Sequence, residues 1–288
     1  MAQLRVVSYN IHKGRSMSGK DALHDLRLGL HNLQPDILFL QEVQGRNEDQ
    51  ATLDAQHQSL AAALQMDVVY GCNAIRQTTD HGNALLSRFP VLRSENIDVS
   101  DHQLEQRGLL HVVLDVKGQE VHCFVVHLGL LGGSRVRQVE AMTARIRQVV
   151  PDDEPLLIAG DFNDWRDELA PLFVQKLGMY EVFATASRAA GDMPRLRDSV
   201  RQIRQVLSGE QRLSQWSQTR DGRENQLAMG GAQIMRRPPR TFPAKFPMFR
   251  LDRIYQRGFA VHRAQVLRGR PWTILSDHAP ILADMELC

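Results

Sequence analysis

The chain is poor in cysteine, in long apolar runs and in net charge, and each shortage narrows what it can be. Only three cysteines occur in 288 residues. Cys72, Cys123 and Cys288 share no metal-type spacing, and their odd number cannot close a disulfide framework. They read as reduced thiols of a cytoplasmic protein. No apolar stretch approaches the roughly 20 residues of a membrane span. The N-terminus runs from Met-Ala-Gln-Leu-Arg directly into strand-like sequence, with no basic region ahead of an apolar one, so a secretory signal is not expected. Lys and Arg total 35 against 33 Asp and Glu, a net +2 that does not by itself call for nucleic acid or membrane.

What is present is an ordinary globular composition, 43% hydrophobic, arranged in short runs. Leu4–Ser8, Ile37–Leu40, Ala84–Ser87, Leu109–Val116, Val121–Val126, Leu156–Ala159, Leu251–Tyr255 and Ala279–Met285 read as strands. Helical spacing runs through Asp21–Leu33, where Leu23, Leu26, Leu30 and Leu33 share a face, and through Leu53–Leu64 and Gly133–Val149. Strands that follow one another through short turns, as in SRFPVLRSENI, predict mixed, partly antiparallel sheets with outer helices.

The segment 186–240 differs in kind. It holds eleven Arg, no Lys and five acidic residues, so it carries +6; with +2 on the whole chain, the remainder carries −4. Leu196, Val200, Ile203 and Leu207 fall on one helical face with Arg on the others. This is an amphipathic helix packed on the domain, or a basic arm for a polyanion or an anionic surface. The aperiodic stretch that follows reads as a long loop. The segment is treated as an insertion because the chemistry resumes beyond it.

Polar residues of metal-binding or proton-handling type recur at the ends of apolar runs. VVSYN ends at Asn10, DILFLQE at Glu42, VHCFVVH at His127, and LLIAGDFN at Asp161 with Asn163 two residues on. RLDRIY carries Asp252, and Asp277 and His278 precede the last strand. Each fragment alone is weak, since an acid at a strand end is usually a cap. The ordered set is specific.

The pieces SYNIHKG, LQEV, HGNALLSRFP, QRGLLHVVL, VVHLGLL, GDFNDW, RLDRIY and SDHAPI, in that order from residue 8 to 281, resemble the endonuclease/exonuclease/phosphatase superfamily. That resemblance implies a DNase I-like four-layer α/β/β/α sandwich with two central mixed sheets, and one domain over 1–288. Cleaving a phosphate ester needs neutralised oxygens, an activated water and help for the leaving group. Mg²⁺ favours one or two carboxylates with waters and substrate oxygens. Glu42 is the best candidate ligand, with Asn10 beside it and Asp277 as a third contributor; Mn²⁺ is an alternative at such a site. By analogy with the family, Asp161 would orient or deprotonate the water, Asn163 would hold it or a phosphate oxygen, and His278 would donate to the phosphate with Asp252 fixing its tautomer. The resemblance also makes His127 a general acid or phosphate ligand and Arg107 a phosphate contact. His81 and Asn83 are candidates for the same cleft.

The chain departs from the abasic-endonuclease branch of the superfamily at two places. His12 stands where that branch usually carries an aspartate, and RTFPAKFPMFRLDRIY, with Phe242, Phe246 and Phe249, replaces its tryptophan-rich loop. The expected activity is therefore a Mg²⁺-dependent phosphodiesterase acting on nucleic acid or on a small or lipid phosphodiester. The alternatives are an inositol-phosphate type of phosphomonoesterase and a non-catalytic binding module. The near-neutral charge favours a small or lipid substrate, and the Arg-rich segment a polyanion.

Overall fold

A computed structural model describes residues 2–102, 105–186 and 238–288. The helix read within 196–207, and nearly all of the 186–240 segment, lie outside the described residues.

Among the described residues, twelve strands form two six-stranded sheets. The first contains β1 (Gln3–Asn10), β2 (Ile37–Val43), β3 (Asp67–Ile75), β4 (Asp80–Ser87), β11 (Phe259–Val266) and β12 (Ile281–Leu287), in the order β11-β12-β1-β2-β4-β3. The second contains β5 (Val91–Asp98), β6 (Gly108–Val116), β7 (Gln119–His127), β8 (Leu156–Asp161), β9 (Tyr180–Glu181) and β10 (Asp252–Arg257), in the order β5-β6-β7-β8-β10-β9. Within each sheet one central pair is parallel, β1 with β2 and β7 with β8, and the remaining pairs are antiparallel.

The strand sequences explain the layering. Central strands buried on both faces need apolar residues at odd and even positions alike, which produces the near-continuous runs of β1, β2, β6 and β7. One set of alternate residues, including Leu4, Val6, Ile37, Phe39, Leu110 and Val125, fills the space between the sheets. The opposite set of the first sheet, Val7, Tyr9, Leu38 and Leu40, packs with α1 (Leu23–Leu33), α2 (Gln56–Leu64) and α6 (Trp272–Leu275). Phe124, Val126 and Ile158 of the second sheet pack under α3 (Gly132–Val149) and α4 (Ala170–Leu177). Each such side chain contributes about 1.5–3 kcal/mol on burial. The result is the four-layer sandwich; the short α5 (Val182–Thr185) follows β9. No described helix is long and apolar enough to cross a membrane.

This topology explains why chemistry-bearing residues collect at one edge. Antiparallel pairing brings the start of β10 beside the end of β8, so Asp252 is the register partner of Asp161, and parallel pairing puts His127 opposite Asp161. In the other sheet Asn10 pairs with Gln41, next to Glu42. Ser8 pairs with Ile281, which brings the 276–280 turn over the end of β1.

Candidate active site

Two rows of polar residues, one from each sheet, meet across the gap between the sheets. His127, Asp161 and Asp252 lie on adjacent strands of the second sheet. Asn10, Glu42 and the Asp277-His278 turn face them from the first. The Asn10 amide spans the two rows, with Nδ2 at 3.3 Å from both Glu42 Oε1 and Asp161 Oδ2. Its Oδ1 accepts from the His12 backbone N–H at 3.1 Å. The buried Ser276 hydroxyl donates to the Asn10 carbonyl at 2.7 Å and accepts from the His278 N–H at 3.2 Å, which fixes the turn to the strand end.

Backbone geometry aims these groups. The β2–β4 pairing shifts register between Leu40 and Val43, and Glu42 within that bulge has φ 54°. A bulge of this kind turns a side chain away from its alternating direction. Asn163 has φ 50°; its N–H donates to Asp161 Oδ1 at 2.9 Å, and its Nδ2 donates to the Leu128 carbonyl at 2.9 Å. Non-glycine residues in this region are uncommon and collect at functional sites.

The electrostatics divide the cluster. Burial opposes a charge on His278, but Asp252 and Asp161 outweigh it and lift the imidazole to about 10. It is therefore an imidazolium at neutral pH, donating Nδ1–H to Asp252 Oδ2 at 2.9 Å, with Nε2 at 3.6 Å from Asp161 Oδ2. Asp161 is raised, first by burial and then by Asp252, against the pull of His278. A raised carboxyl is a better proton acceptor than an ordinary aspartate. His127 behaves in the opposite way to His278. Burial, then Arg107, push it down to about 3 despite Glu42, so it is a neutral imidazole with Nε2 at 3.7 Å from Asp161 Oδ2. Burial tends to raise Glu42, but His127, Lys13, Asn10 and His12 hold it at about 2. Because His127 is uncharged at neutral pH, the cation compensating Glu42 is Lys13, whose Nζ lies 3.5 Å from Oε2.

A cleft of about 490 Å³ opens over this cluster. Lys13, Glu42, His81, Arg107, His127, Asp161, Asn163 and His278 line its polar side, and Leu130, Trp165, Phe242, Phe249 and Leu251 its apolar side. The Phe242 ring sits 4.9 Å from that of His278, and the Arg135 guanidinium lies 4.7 Å over the Trp165 ring. Leu130, Trp165 and Phe249 remain 40–57% exposed. Large apolar side chains left in water beside a charged cleft are of the kind that line ligand-binding sites.

Most of the sequence-derived candidates converge here, and Asn83 does not. Asn83 is not in the cleft wall. It is buried between the sheets, with Nδ2 donating to the carbonyls of Gly108 at 3.0 Å and Val125 at 3.3 Å. Two residues along β4 from His81 is about 6.6 Å further in, below the cleft floor. Asp277 does not line the cleft but is joined to the cluster through Ser276, whose Oγ lies 3.2 Å from Asp277 Oδ1 and donates to the Asn10 carbonyl, with His12 Nδ1 at 3.8 Å. Arg107 lines the cleft and is tied to Glu105 at 2.9 Å. Sequence reasoning passed over Lys13, Ser276 and Trp165. All three sit inside the quoted motifs SYNIHKG, SDHAPI and GDFNDW, which were the available signal.

Carboxylates and imidazoles that could hold a metal, on a sandwich of two mixed sheets, place the chain in the class of phosphoric ester hydrolases. Residues 7–278 match the Endonuclease/Exonuclease/phosphatase family, and the chain belongs to it. The Escherichia coli (strain K12) protein YbhP is 35% identical over 293 residues, covering 98% of this chain and 96% of that one. The same fold occurs in an endonuclease/exonuclease/phosphatase from Beutenbergia cavernae DSM 12333, at 19% identity and TM-score 0.69, over 100% of this chain and 72% of that one. It occurs also in D. rerio TDP2 complexed with single strand DNA product, at 18% identity and TM-score 0.63, over 99% and 100% of the two chains.

Proposed function

We propose that the chain is a Mg²⁺-dependent phosphodiesterase whose substrate carries a planar or apolar substituent. The observation that carries this reading is the convergence of Asn10, His127 and His278 on one raised carboxylate, Asp161, at the floor of a cleft with an apolar wall.

The donor set suits a hard cation. Glu42 offers a fully ionised carboxylate beside the Asn10 amide, and the Lys13 ammonium already stands in as its counter-charge. Oxygen ligands of this type favour Mg²⁺, with Mn²⁺ as the natural substitute. Glu42 would hold it, with Asn10 joining through Oδ1 once its amide turns from the His12 N–H, and with Asp277 as a further contributor; bound there, it would neutralise charge on the phosphate oxygens.

The protein's own groups supply the rest. Asp161 accepts the proton of the attacking water at its carboxylate. Asn163, fixed by Leu128 and Asp161, orients that water or a phosphate oxygen. His278 offers a charged Nε2–H to a non-bridging oxygen, and Asp252 on Nδ1 keeps that tautomer and charge in place. His127 offers a neutral N–H, and Arg107 adds a positive charge to the wall. Leu130, Trp165, Phe242 and Phe249 bind the ester substituent, a nucleoside or a lipid-like group.

A second reading, a phosphomonoesterase, draws on Lys13 and Arg107 in the same cleft, since two cations suit a dianion. Hydrolysis of single-stranded DNA, bis-p-nitrophenyl phosphate, phospholipid vesicles and an inositol phosphate with Mg²⁺ separates the two. Turnover of a diester that is lost with EDTA and in both Glu42→Ala and Asp161→Ala is expected. Metal-dependent turnover of the monoester alone would overturn the diester reading.

A further inference from the structure

A second cluster of ligand-type side chains lies on the outer face of the second sheet, remote from the cleft. His122 on β7 is five residues from His127, about 16 Å along the strand and, at an odd offset, on the opposite face. Its side chain is fully buried, with Nε2 2.6 Å from Glu154 Oε2 and Nδ1 2.9 Å from His111 Nε2. His111 Nδ1 continues the line to Glu95 Oε1 at 3.2 Å, and Arg145 closes it on Glu95 at 2.7 Å. Glu120 projects on the same face of β7 as His122. Ligand atoms of Glu120, His122 and Glu154 all lie within 4.8 Å of one another.

The hydrogen-bond inventory of this line is unbalanced as it stands. Three contacts, Glu154–His122, His122–His111 and His111–Glu95, each need one proton. Two neutral imidazoles bring only two. Either a third proton is held in the line, on a ring that burial disfavours charging or on the Glu154 carboxyl, or one contact is left without a hydrogen. A cation on His122 Nε2 removes the mismatch. Nδ1–H of His122 then donates to His111 Nε2, and Nδ1–H of His111 donates to Glu95. This is the outer arrangement that fixes a metal-bound histidine, an imidazole whose other nitrogen donates onward to a carboxylate.

We propose that Glu120, His122 and Glu154 form a site for a divalent transition cation of the Zn²⁺ type, supported by the His111–Glu95–Arg145 line and separate from the catalytic cleft. One imidazole and two carboxylates are borderline-to-hard donors of the kind Zn²⁺ accepts, leaving room for water as a further ligand. Bonds of about 2.0 Å in tetrahedral geometry set ligand atoms about 3.3 Å apart. The His122–Glu154 contact of 2.6 Å therefore opens by about 0.7 Å, and Glu120 moves inward. Arg93 holds both Glu120 oxygens, but it is 52% exposed, and solvent screens an ion pair in such a place. A divalent ion displaces it.

The test is calorimetric titration of the full chain with Zn²⁺ after chelator stripping, in a Glu42→Gln background that weakens the cleft as a competing site. Co²⁺ absorption serves as a second readout of coordination. One Zn²⁺ equivalent is expected that disappears in the added His122→Phe. In the added Glu120→Gln it should weaken at least tenfold; that substitution touches a half-exposed side chain and leaves the fold intact. His111→Phe, acting only through His122, should weaken it by about 10–100-fold. The site is overturned if Zn²⁺ stoichiometry and affinity are the same with and without Glu120→Gln, or if no equivalent binds, in which case the line holds a proton only.

Discussion

Gly160 on β8 lies against the backbone of Val126 on β7, so close that a Cβ at position 160 would stand 1.9 Å from the Val126 carbonyl oxygen. Its φ of 151° is also one that side chains rarely adopt. This approach sits in the register that pairs Val126 with Gly160 and, one step on, His127 with Asp161. The glycine of the GDFN motif therefore serves the packing of two strands that carry the site, more than the turn beyond them. Gly160→Ala is expected to separate the strand ends, lower stability by more than about 2 kcal/mol and remove activity. Urea unfolding with an assay on the same sample checks it. Wild-type activity with unchanged stability would show that the strands have room to move.

Asn83 provides the contrasting case, a residue whose importance is mechanical. Its amide on β4 bridges from the first sheet to the carbonyls of Gly108 and Val125 in the second. Asn83→Leu leaves both carbonyls without that donor in a buried place, at about 1–3 kcal/mol each where no other partner forms. The expected result is a lowered urea midpoint with kcat/KM of the folded fraction within about threefold of wild type. A selective loss of kcat at unchanged stability would return Asn83 to the catalytic machinery.

Much of the fold was legible because its central strands are buried on both faces and so read as apolar runs. The strands without such runs escaped. Asp67–Ile75 and Phe259–Val266 are the two edges of the first sheet, half-exposed and mixed in composition. The helix Ala170–Leu177 is only eight residues long, too short for its period to stand out. The site was legible as an ordered series of motifs, since topology brings strand ends and strand starts to one edge. Depth was not legible: His81 and Asn83 lie on one strand, yet one lines the cleft and the other is beneath it. Nor was charge. The resemblance pairs His278 with Asp252, but nothing in the sequence shows that His278 is an imidazolium between two carboxylates while His127 is a neutral ring beside Arg107.

The charge on His278 makes a prediction about stability. Its folded value of about 10 lies above the 6.5 of an ordinary histidine. A raised value contributes stability that is complete below about pH 6.5 and is lost as pH rises through 10. Metal-free protein should therefore lose unfolding free energy between pH 7 and 10. His278→Gln leaves Asp252 and Asp161 without their cation and should cost about 3–5 kcal/mol at pH 7, with that slope removed. Urea midpoints at pH 7 and 9.5 in EDTA measure both. A slope that persists in His278→Gln would assign the pH dependence to another group.

His127 poses the sharper mechanistic question, because its position fits a general acid and its charge state does not. Burial and Arg107 hold it at about 3, so at neutral pH its ring carries a single hydrogen and no charge to give away. A neutral N–H still stabilises a phosphate oxygen by donating to it, and a glutamine amide can do the same. A general acid cannot be replaced in this way, and its loss costs about 10²–10⁴ in rate. His127→Gln is accordingly expected to keep kcat within about tenfold of wild type, while His127→Ala, which removes the donor altogether, loses about 10²–10³ as for other donors to a developing anion. The comparison is best made on an ester with a poor leaving group, where protonation of the departing oxygen matters most. Equal losses of 10² or more in both variants on that substrate, with a good leaving group restoring both, would make His127 the acid after all and require substrate binding to raise its affinity for a proton.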